Sequence, residues 1–230
     1  MRARFSHSGA GPSEQIPYAE RFIVRPEVVA FIIVVVVYFV GSEGLKRYYD
    51  AKIQAFYNAG LFDECLDELN KFLPRILLTT FKQHYYRFLV HDARGDRELA
   101  ERMIELLVRM RNSAKRQAQI LPIAFNYFAE NGNKKRAKEL LAELKETKGA
   151  DKAVIADCQL TYEIVFGKRC DMIDKMEAML PRANQQLKGK LYYLLAKQCA
   201  NAGNRERARH YRAELNELRR RERETQPNEA

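Results

Sequence analysis

The chain of 230 residues has no tryptophan, few glycines and prolines, and four cysteines that form no C-x-x-C pair. A secreted disulfide scaffold is richer in cysteine, and a zinc site needs ligands at closer spacing. We therefore interpret Cys65, Cys158, Cys170 and Cys199 as free, mostly buried thiols, which favours a reducing compartment. The hydrophobic content of 47% excludes a disordered or low-complexity protein.

Sequence motifs of catalysis are absent as well. The chain contains no glycine-rich phosphate loop, no H-E-x-x-H and no G-x-S-x-G. His84 and His91 lie seven residues apart, whereas a metal pair on a helix more usually has i,i+4 spacing. These observations predict a protein that is not an enzyme and binds no cofactor.

Long apolar runs are rare, and the one present is Val28 to Val40, VVAFIIVVVVYFV. As a helix these residues cover about 20 Å, which is shorter than the roughly 30 Å hydrocarbon layer of a membrane. Extended from Arg25 to Leu45, with both ends carrying basic and aromatic residues nearby, the segment is long enough to span. A cleaved signal peptide and a buried helix are the alternatives.

Glycines recur at a nearly constant spacing after this segment. Five of these glycines are separated by 35, 37, 35 and 36 residues. Five positions after each glycine comes Cys65, Ala100, Ala137, Met172 or Ala208. A glycine can adopt the left-handed conformation that ends a helix, and a small residue lets the next helix approach closely. The spacing predicts about five antiparallel helix hairpins, with repeat-defining residues Gly60, Gly95, Gly132, Gly167, Gly203, Cys65, Ala100, Ala137 and Ala208.

This pattern resembles the tetratricopeptide repeat family, whose unit is a 34-residue pair of antiparallel helices. The resemblance implies an all-α, right-handed solenoid behind a single transmembrane helix. The predicted organisation is a flexible tail at 1–24, the transmembrane helix at 25–45, the repeat domain at 46–220 and a second flexible tail at 221–230. The fourth unit departs from the pattern because Met172 takes the place of the small residue, and Arg136 in the third unit is predicted to be exposed.

The resemblance also implies that the first helix of each unit lines a concave groove. Asn, Gln, Tyr and Lys side chains in such a groove can bind a peptide through hydrogen bonds. Besides Asp50, Leu89 and Asp157, the matching positions are Arg47, Gln54, Asn58, Lys82, Tyr85, Gln119, Asn126, Thr161, Lys190, Tyr193 and Lys197.

The sequence thus predicts a membrane-anchored scaffold that binds a protein or peptide partner in its groove. The net charge of +10 and eight arginines between Arg205 and Arg223 keep an alternative open, a basic module that binds nucleic acid or anionic lipid. Interspersed glutamates dilute this charge and no aromatic stacking pattern accompanies the arginines, which favours the polar outer face of a capping helix. A contact with anionic lipid stays open, and nucleic acid is not expected as a partner. Basic residues flank the apolar segment almost evenly, and the free cysteines favour repeats that face the cytoplasm.

Overall fold

The computed structural model of the protein describes residues 25–224. These residues form helices and the turns that join them, and they include no strand. The predicted tail at 1–24 and the last six residues lie outside this range. The helices are α1 (Pro26–Asn58), α2 (Phe62–Asn70), α3 (Phe72–Leu77), α4 (Thr80–Arg94), α5 (Arg97–Arg109), α6 (Ala114–Glu130), α7 (Lys134–Glu146), α8 (Lys152–Gly167), α9 (Ile173–Met179), α10 (Gln185–Asn201) and α11 (Arg205–Glu224). The chain divides into one unit that ends at Glu43 and a second that begins at Gly44.

Two predicted boundaries differ from the observed ones. The helix that contains the apolar segment does not end near residue 45 but continues to Asn58, and α11 continues to Glu224, past the predicted start of the second tail. A Cβ added at Gly41 or Gly44 would meet no heavy atom within 4 Å, so neither glycine marks a close packing contact in α1.

The apolar segment exposes its side chains in the first unit. From Val28 to Val40 the large apolar residues lie on the surface apart from the half-exposed Val35, and the mean hydropathy of the most apolar 18-residue window is 2.4. One helix near the N-terminus is therefore long and apolar enough to span a membrane, a property that a signal sequence shares.

Three helix pairs of the second unit follow the order of the sequence, with α4 packed against α5, α6 against α7 and α10 against α11. α8 contacts α6, α7 and α10, and α9 packs against α10. Between these pairs, α5 contacts α6, and α2 contacts α4. Each predicted repeat thus contains two helices or more, and neighbouring repeats touch.

Tight turns join the two helices of four hairpins. Gly60, Gly95, Gly132 and Gly203 all have φ between 73° and 81°, in the left-handed region. At Gly132 the amide donates to the carbonyl of Ala129 (3.2 Å), and the next amide, of Asn133, donates to Phe128 (2.9 Å). These two bonds satisfy carbonyls at the end of α6, which is why a residue without a Cβ is favoured here.

The small residues that follow these turns are buried where the second helix meets the first. Cys65, Ala100, Ala137 and Ala208 each occupy the fourth position of their helix, and Ala137 is 0% exposed. Since no side chain beyond a methyl or thiol group intervenes, the two helix backbones can approach closely.

The fourth hairpin differs from this pattern. Gly167 remains helical, Lys168 takes the left-handed conformation with φ of 60°, and α9 begins only at Ile173. Met176, not Met172, therefore occupies the buried fourth position of the second helix. The longer turn is held by Arg169, whose guanidinium donates to Glu163 and Asp171 at 2.6 Å each.

The second helix of the first hairpin is broken into α2 and α3. Lys71 between them is extended, with ψ of 153°. Pro74 accounts for the break, because its ring has no N–H to donate to Asn70 and would clash with that carbonyl in a continuous helix. α2 accordingly ends at Asn70.

Three clusters of buried side chains follow one another along the second unit. Burying each large apolar side chain contributes about 1.5–3 kcal/mol, so these clusters dominate the stability of the hairpins. Their principal members are Ile53, Cys65, Leu69, Leu78 and Val90 in the first, Phe88, Leu121, Phe125, Phe128, Leu140 and Leu144 in the second, and Ile164, Leu191, Leu194, Leu195 and Cys199 in the third.

The prediction that Arg136 is exposed is wrong. Its side chain is only 22% exposed and its guanidinium forms a bidentate pair with Glu105, through Nε at 2.6 Å and Nη2 at 2.9 Å. This pair joins α7 to α5, so the side chain links two hairpins that the sequence pattern treats separately.

Candidate binding groove

The predicted groove residues on α1 and α4 form a polar contact between the two helices. Asp50 accepts hydrogen bonds from Lys82 Nζ (2.7 Å) and from the hydroxyl of Tyr86 (2.8 Å). Burial and this carboxylate raise the pKa of Tyr86. Tyr85 is half-buried and packs on Phe81, whereas Arg47, Gln54 and Asn58 are exposed. Lys82 therefore joins α4 to α1, and Tyr85 packs against the second core cluster.

Four of the predicted residues line one cavity of about 540 Å³. Asn126 comes from α6, Thr161 from α8, and Lys190 and Tyr193 from α10. The lining also includes three more side-chain amides and four leucines. These further lining residues are Asn184, Gln185 and Gln186, and Leu187, Leu194, Leu215 and Leu218.

Two hydroxyl groups at this cavity are buried without a hydrogen-bond partner among the described residues, those of Thr161 and Tyr193. Burial, with a contribution from the charge of Glu130, raises the pKa of Tyr193 to about 12, so the phenol stays protonated and can donate. The ammonium of Lys197 lies 5.5 Å from the centre of the Tyr193 ring. An unsatisfied buried hydroxyl costs about 1–3 kcal/mol, which a bound hydrogen-bonding group would recover in part.

Thr161 does not occupy the exposed groove position that the sequence spacing assigned to it. It is 4% exposed, because the left-handed residue of its hairpin is Lys168 and not Gly167, which shifts the register of α8 by one residue. Counted from the left-handed residue, Thr161 is equivalent to four core residues. These are Ile53, Phe88, Phe125 and Ala196, all buried.

A second cavity of about 550 Å³ shares Glu130, Tyr193 and Arg219 with the first. Arg219, on α11, lies 3.8 Å from Glu130, on α6. Partial desolvation raises the pKa of Glu130 and of Asp92, which also lines this cavity, and the charge of Arg219 opposes both shifts. The sequence reasoning missed Glu130 and Arg219, since nothing local indicates that residues so far apart in the chain meet.

The remaining predicted residues lie elsewhere. Gln119 lines a third cavity, of about 520 Å³, together with Lys115, Pro122 and Asp151. Asp157 is paired with Lys190, which joins α8 to α10. The predicted groove is thus divided, and the largest group of its polar residues meets in the cavity between α6, α8, α10 and α11.

Several arginines of α11 are engaged in ion pairs within the fold. Arg207 and the hydroxyl of Tyr211 both donate to Glu177 on α9. Arg220 (2.8 Å) and Arg221 (2.9 Å) bind Glu217, and these hydrogen bonds lower the pKa of Glu217 to about 2. The positive charge of this helix is therefore partly neutralised.

The cysteine thiols are poor candidates for chemistry. Cys65, Cys158 and Cys199 are buried and Cys170 is exposed, all of them free. Burial raises the pKa of Cys65 and of Cys158 to about 11, which disfavours the reactive thiolate. Among residues 25–224, no three His, Cys, Asp or Glu side chains are grouped as metal ligands.

Comparison with known proteins adds no relative. No family model matches the chain, and neither a curated protein nor a solved structure matches it. The tetratricopeptide assignment therefore stays a prediction that rests on the residues themselves.

Proposed function

We propose that this chain is a membrane-anchored scaffold of the tetratricopeptide type that binds a peptide segment of a protein partner. The binding site is the cavity between α6, α8, α10 and α11. One observation carries the proposal, namely that Asn126, Thr161, Lys190 and Tyr193, chosen from sequence as groove residues, line a single cavity. The successive contacts between hairpins support a solenoid arrangement, to which the family resemblance assigns a right-handed twist.

The chemistry of the cavity favours a peptide as the ligand. Asn126 and the amides at the start of α10 can each donate to and accept from a peptide backbone. The leucines that line the cavity can contact an apolar side chain of the peptide. Lys190 and Glu130 each have a partner of opposite charge, so the site does not select a strongly charged ligand. Its volume lies in the usual range for a binding pocket.

The apolar segment of α1 provides the proposed anchor. Apart from Val35, its large apolar residues from Val28 to Val40 are exposed. A single-pass anchor would raise the local concentration of the scaffold at the membrane, and free buried thiols favour a repeat domain on the cytoplasmic side.

A photo-crosslinking experiment on the full chain in membranes tests the proposal. A benzophenone side chain in place of Gln186, which lines the cavity, should crosslink to the partner protein. The partner identified in this way is then purified for affinity measurements. Tyr193→Phe should weaken its binding by about three- to tenfold, because the phenol would lose one hydrogen bond to the peptide. The melting temperature should not fall, since the hydroxyl has no partner within the fold.

Tyr192→Phe is the matched control, because Tyr192 is the adjacent tyrosine on the same helix and stacks on Tyr211 outside the cavity. Equal affinity of the Tyr193→Phe variant and the unchanged protein would contradict the cavity as the binding site. Binding that instead falls steeply with salt would favour the arginine-rich alternative.

A further inference from the structure

The short helix α3 exposes its apolar side chains to solvent. Phe72 is 76% exposed, more than any other large apolar residue described, and Ile76 is 63% exposed. Leu73 is also exposed, and we call these three side chains the α3 ridge. Such a group on the surface of a folded domain marks a contact with something apolar.

The ridge is a consequence of how the chain packs at Pro74. Pro74 and Leu78, one helical turn apart, are buried, and Leu78 belongs to the first core cluster. Phe72 and Ile76 are also one turn apart and are exposed, so they lie on the opposite side of α3. The fold thus uses the inner side of α3 for the core and leaves the ridge without a partner among the described residues.

Basic residues surround the ridge. Lys71 and Arg75 are exposed, and Arg87 lies close by through its bond to Asn70 (2.9 Å). Two acidic side chains act on Lys71, namely Asp67, which is exposed, and Glu68, which is 3% exposed and pairs with Lys52 (3.1 Å) and Lys71 (2.8 Å). The four basic side chains Lys52, Lys71, Arg75 and Arg87 outnumber these two carboxylates, so the local charge is positive. An apolar surface with a rim of positive charge is the composition of helices that lie in the headgroup region of anionic membranes.

Chain connectivity brings this surface within reach of a membrane. Tyr49 interacts electrostatically with Lys71, next to the ridge. Tyr49 follows Val40, the end of the apolar segment, by nine residues, and nine residues span at most about 32 Å. The end of the apolar segment is therefore at most about 32 Å from Tyr49, which lets a bilayer that holds this segment reach the residues that flank α3.

We propose that the α3 ridge inserts into the interface of an anionic lipid leaflet and forms a second membrane contact of this protein. The inference rests on the proposed anchor for the proximity of the bilayer, but it assigns a different surface. Lipid accounts for both the apolar side chains and the basic rim, whereas a soluble partner would have to supply a matching acidic, apolar surface.

The absence of tryptophan from the sequence allows a direct test with single-tryptophan variants of the full chain. Phe72→Trp, Leu99→Trp and Val34→Trp are each reconstituted into vesicles of phosphatidylcholine and phosphatidylserine with brominated acyl chains. Leu99, exposed on α5, is the control surface, and Val34 reports on the apolar segment. The tryptophan at 72 should be quenched by the brominated lipid and shielded from aqueous acrylamide, and the tryptophan at 99 should show the opposite.

Charge reversal at the rim gives a second measurement. Lys71→Glu with Arg75→Glu, made in the Phe72→Trp protein, should reduce lipid quenching in these vesicles by several fold, and little in vesicles of phosphatidylcholine alone. Loss of folding would be visible as loss of helical circular dichroism.

Each other outcome has a distinct meaning. A tryptophan at 72 that stays open to acrylamide, while that at 34 is quenched by lipid, overturns the ridge contact and leaves the anchor intact. Lipid quenching at 72 but not at 34 supports the ridge and contradicts the anchor, and quenching at neither position contradicts both. A tryptophan at 72 shielded from both quenchers contradicts the lipid contact in favour of a protein partner or a second copy of the chain.

Discussion

The third and fourth hairpins, α6–α7 and α8–α9, solve the same packing problem in different ways. In the third, Gly132 turns the chain and Ala137 provides the close contact between helices. In the fourth, Lys168 turns the chain and Met176 is buried after a longer connection, on a helix that packs mainly against α10. The turn and the buried position of the second helix are therefore separate requirements, and the distance in sequence between them can vary.

Contacts from the next hairpin compensate for the irregular turn. Gln198 of α10 accepts from the amide of Met172 (3.0 Å), and its own amide lies 3.1 Å from the sulfur of Met176. Asn201 donates to the carbonyls of Ile164 (2.8 Å) and Arg169 (3.0 Å). The fourth hairpin thus depends more on its neighbour than the third does, and the following predictions test this difference.

The largest expected effect is at the core position that the two hairpins share. Phe125→Ala should lower the free energy of unfolding by about 3–5 kcal/mol, because it removes a fully buried ring from the middle cluster. At the equivalent position of the fourth hairpin, Thr161→Val should raise the free energy of unfolding by about 1 kcal/mol, since the buried hydroxyl has no hydrogen-bond partner among the described residues. Chemical denaturation measures both, and a destabilising Thr161→Val would contradict the proposed equivalence.

A smaller effect is expected at the buried fourth position of the second helix in each of these two hairpins. Ala137→Leu should lower the free energy of unfolding by about 1–3 kcal/mol, because the added carbons have no space beside α6. Met176→Leu conserves volume and should cost less than about 1.5 kcal/mol. Lys138→Leu, at an exposed neighbouring position, is the control for a changed helix surface. Equal thermal shifts for Ala137→Leu and Lys138→Leu would show that the helices are not closely packed.

Gly132 in a turn and Gly167 in a helix should respond to alanine with opposite signs. Gly132→Ala forces a side chain into the left-handed region at φ of 76° and should destabilise by about 1–2 kcal/mol. Gly167→Ala should stabilise by about 0.5–1 kcal/mol, because Gly167 is helical and its Cβ would lie an acceptable 3.9 Å from Glu163. Melting temperatures compare the two, and shifts of the same sign would contradict the assigned register of α8.

The smallest effect concerns the ion pair that joins the fourth hairpin to the fifth. Hydrogen bonds from Tyr211 and Arg207 lower the pKa of Glu177 below its ordinary value of 4.5. A carboxylate with a lowered pKa in the folded state stabilises at pH values above the unfolded value and loses this effect as pH falls through the folded value. Glu177→Gln should therefore cost about 1 kcal/mol or less at pH 7, since the carboxylate is partly exposed, and progressively less below pH 4.5.

Urea unfolding of the Glu177→Gln variant at several pH values measures this difference. A cost that is independent of pH would mean that the glutamate acts through packing.

Agreement between sequence and structure at the candidate site depended on register. Asn126, Lys190 and Tyr193 were placed by counting from a glycine, and they line one cavity because α6 and α10 keep that register. Thr161 was placed by the same count from Gly167 and is buried, because α8 continues one residue further. Glu130 and Arg219 could not be found by counting, since their encounter depends on how α11 crosses the end of α6.

The sequence alone determined the helical class, the positions of four left-handed turns and the apolar segment, because each depends on residues close together in the chain. Glycine spacing, helical periodicity and continuous apolar runs act locally and can be counted. Tertiary structure decided the turn at Lys168, the exposure of the α3 ridge and the grouping of polar residues around one cavity. These features depend on contacts with other helices. The energies of such contacts differ from local conformational preferences by only a few kcal/mol, and no single segment of the sequence contains both partners of a contact.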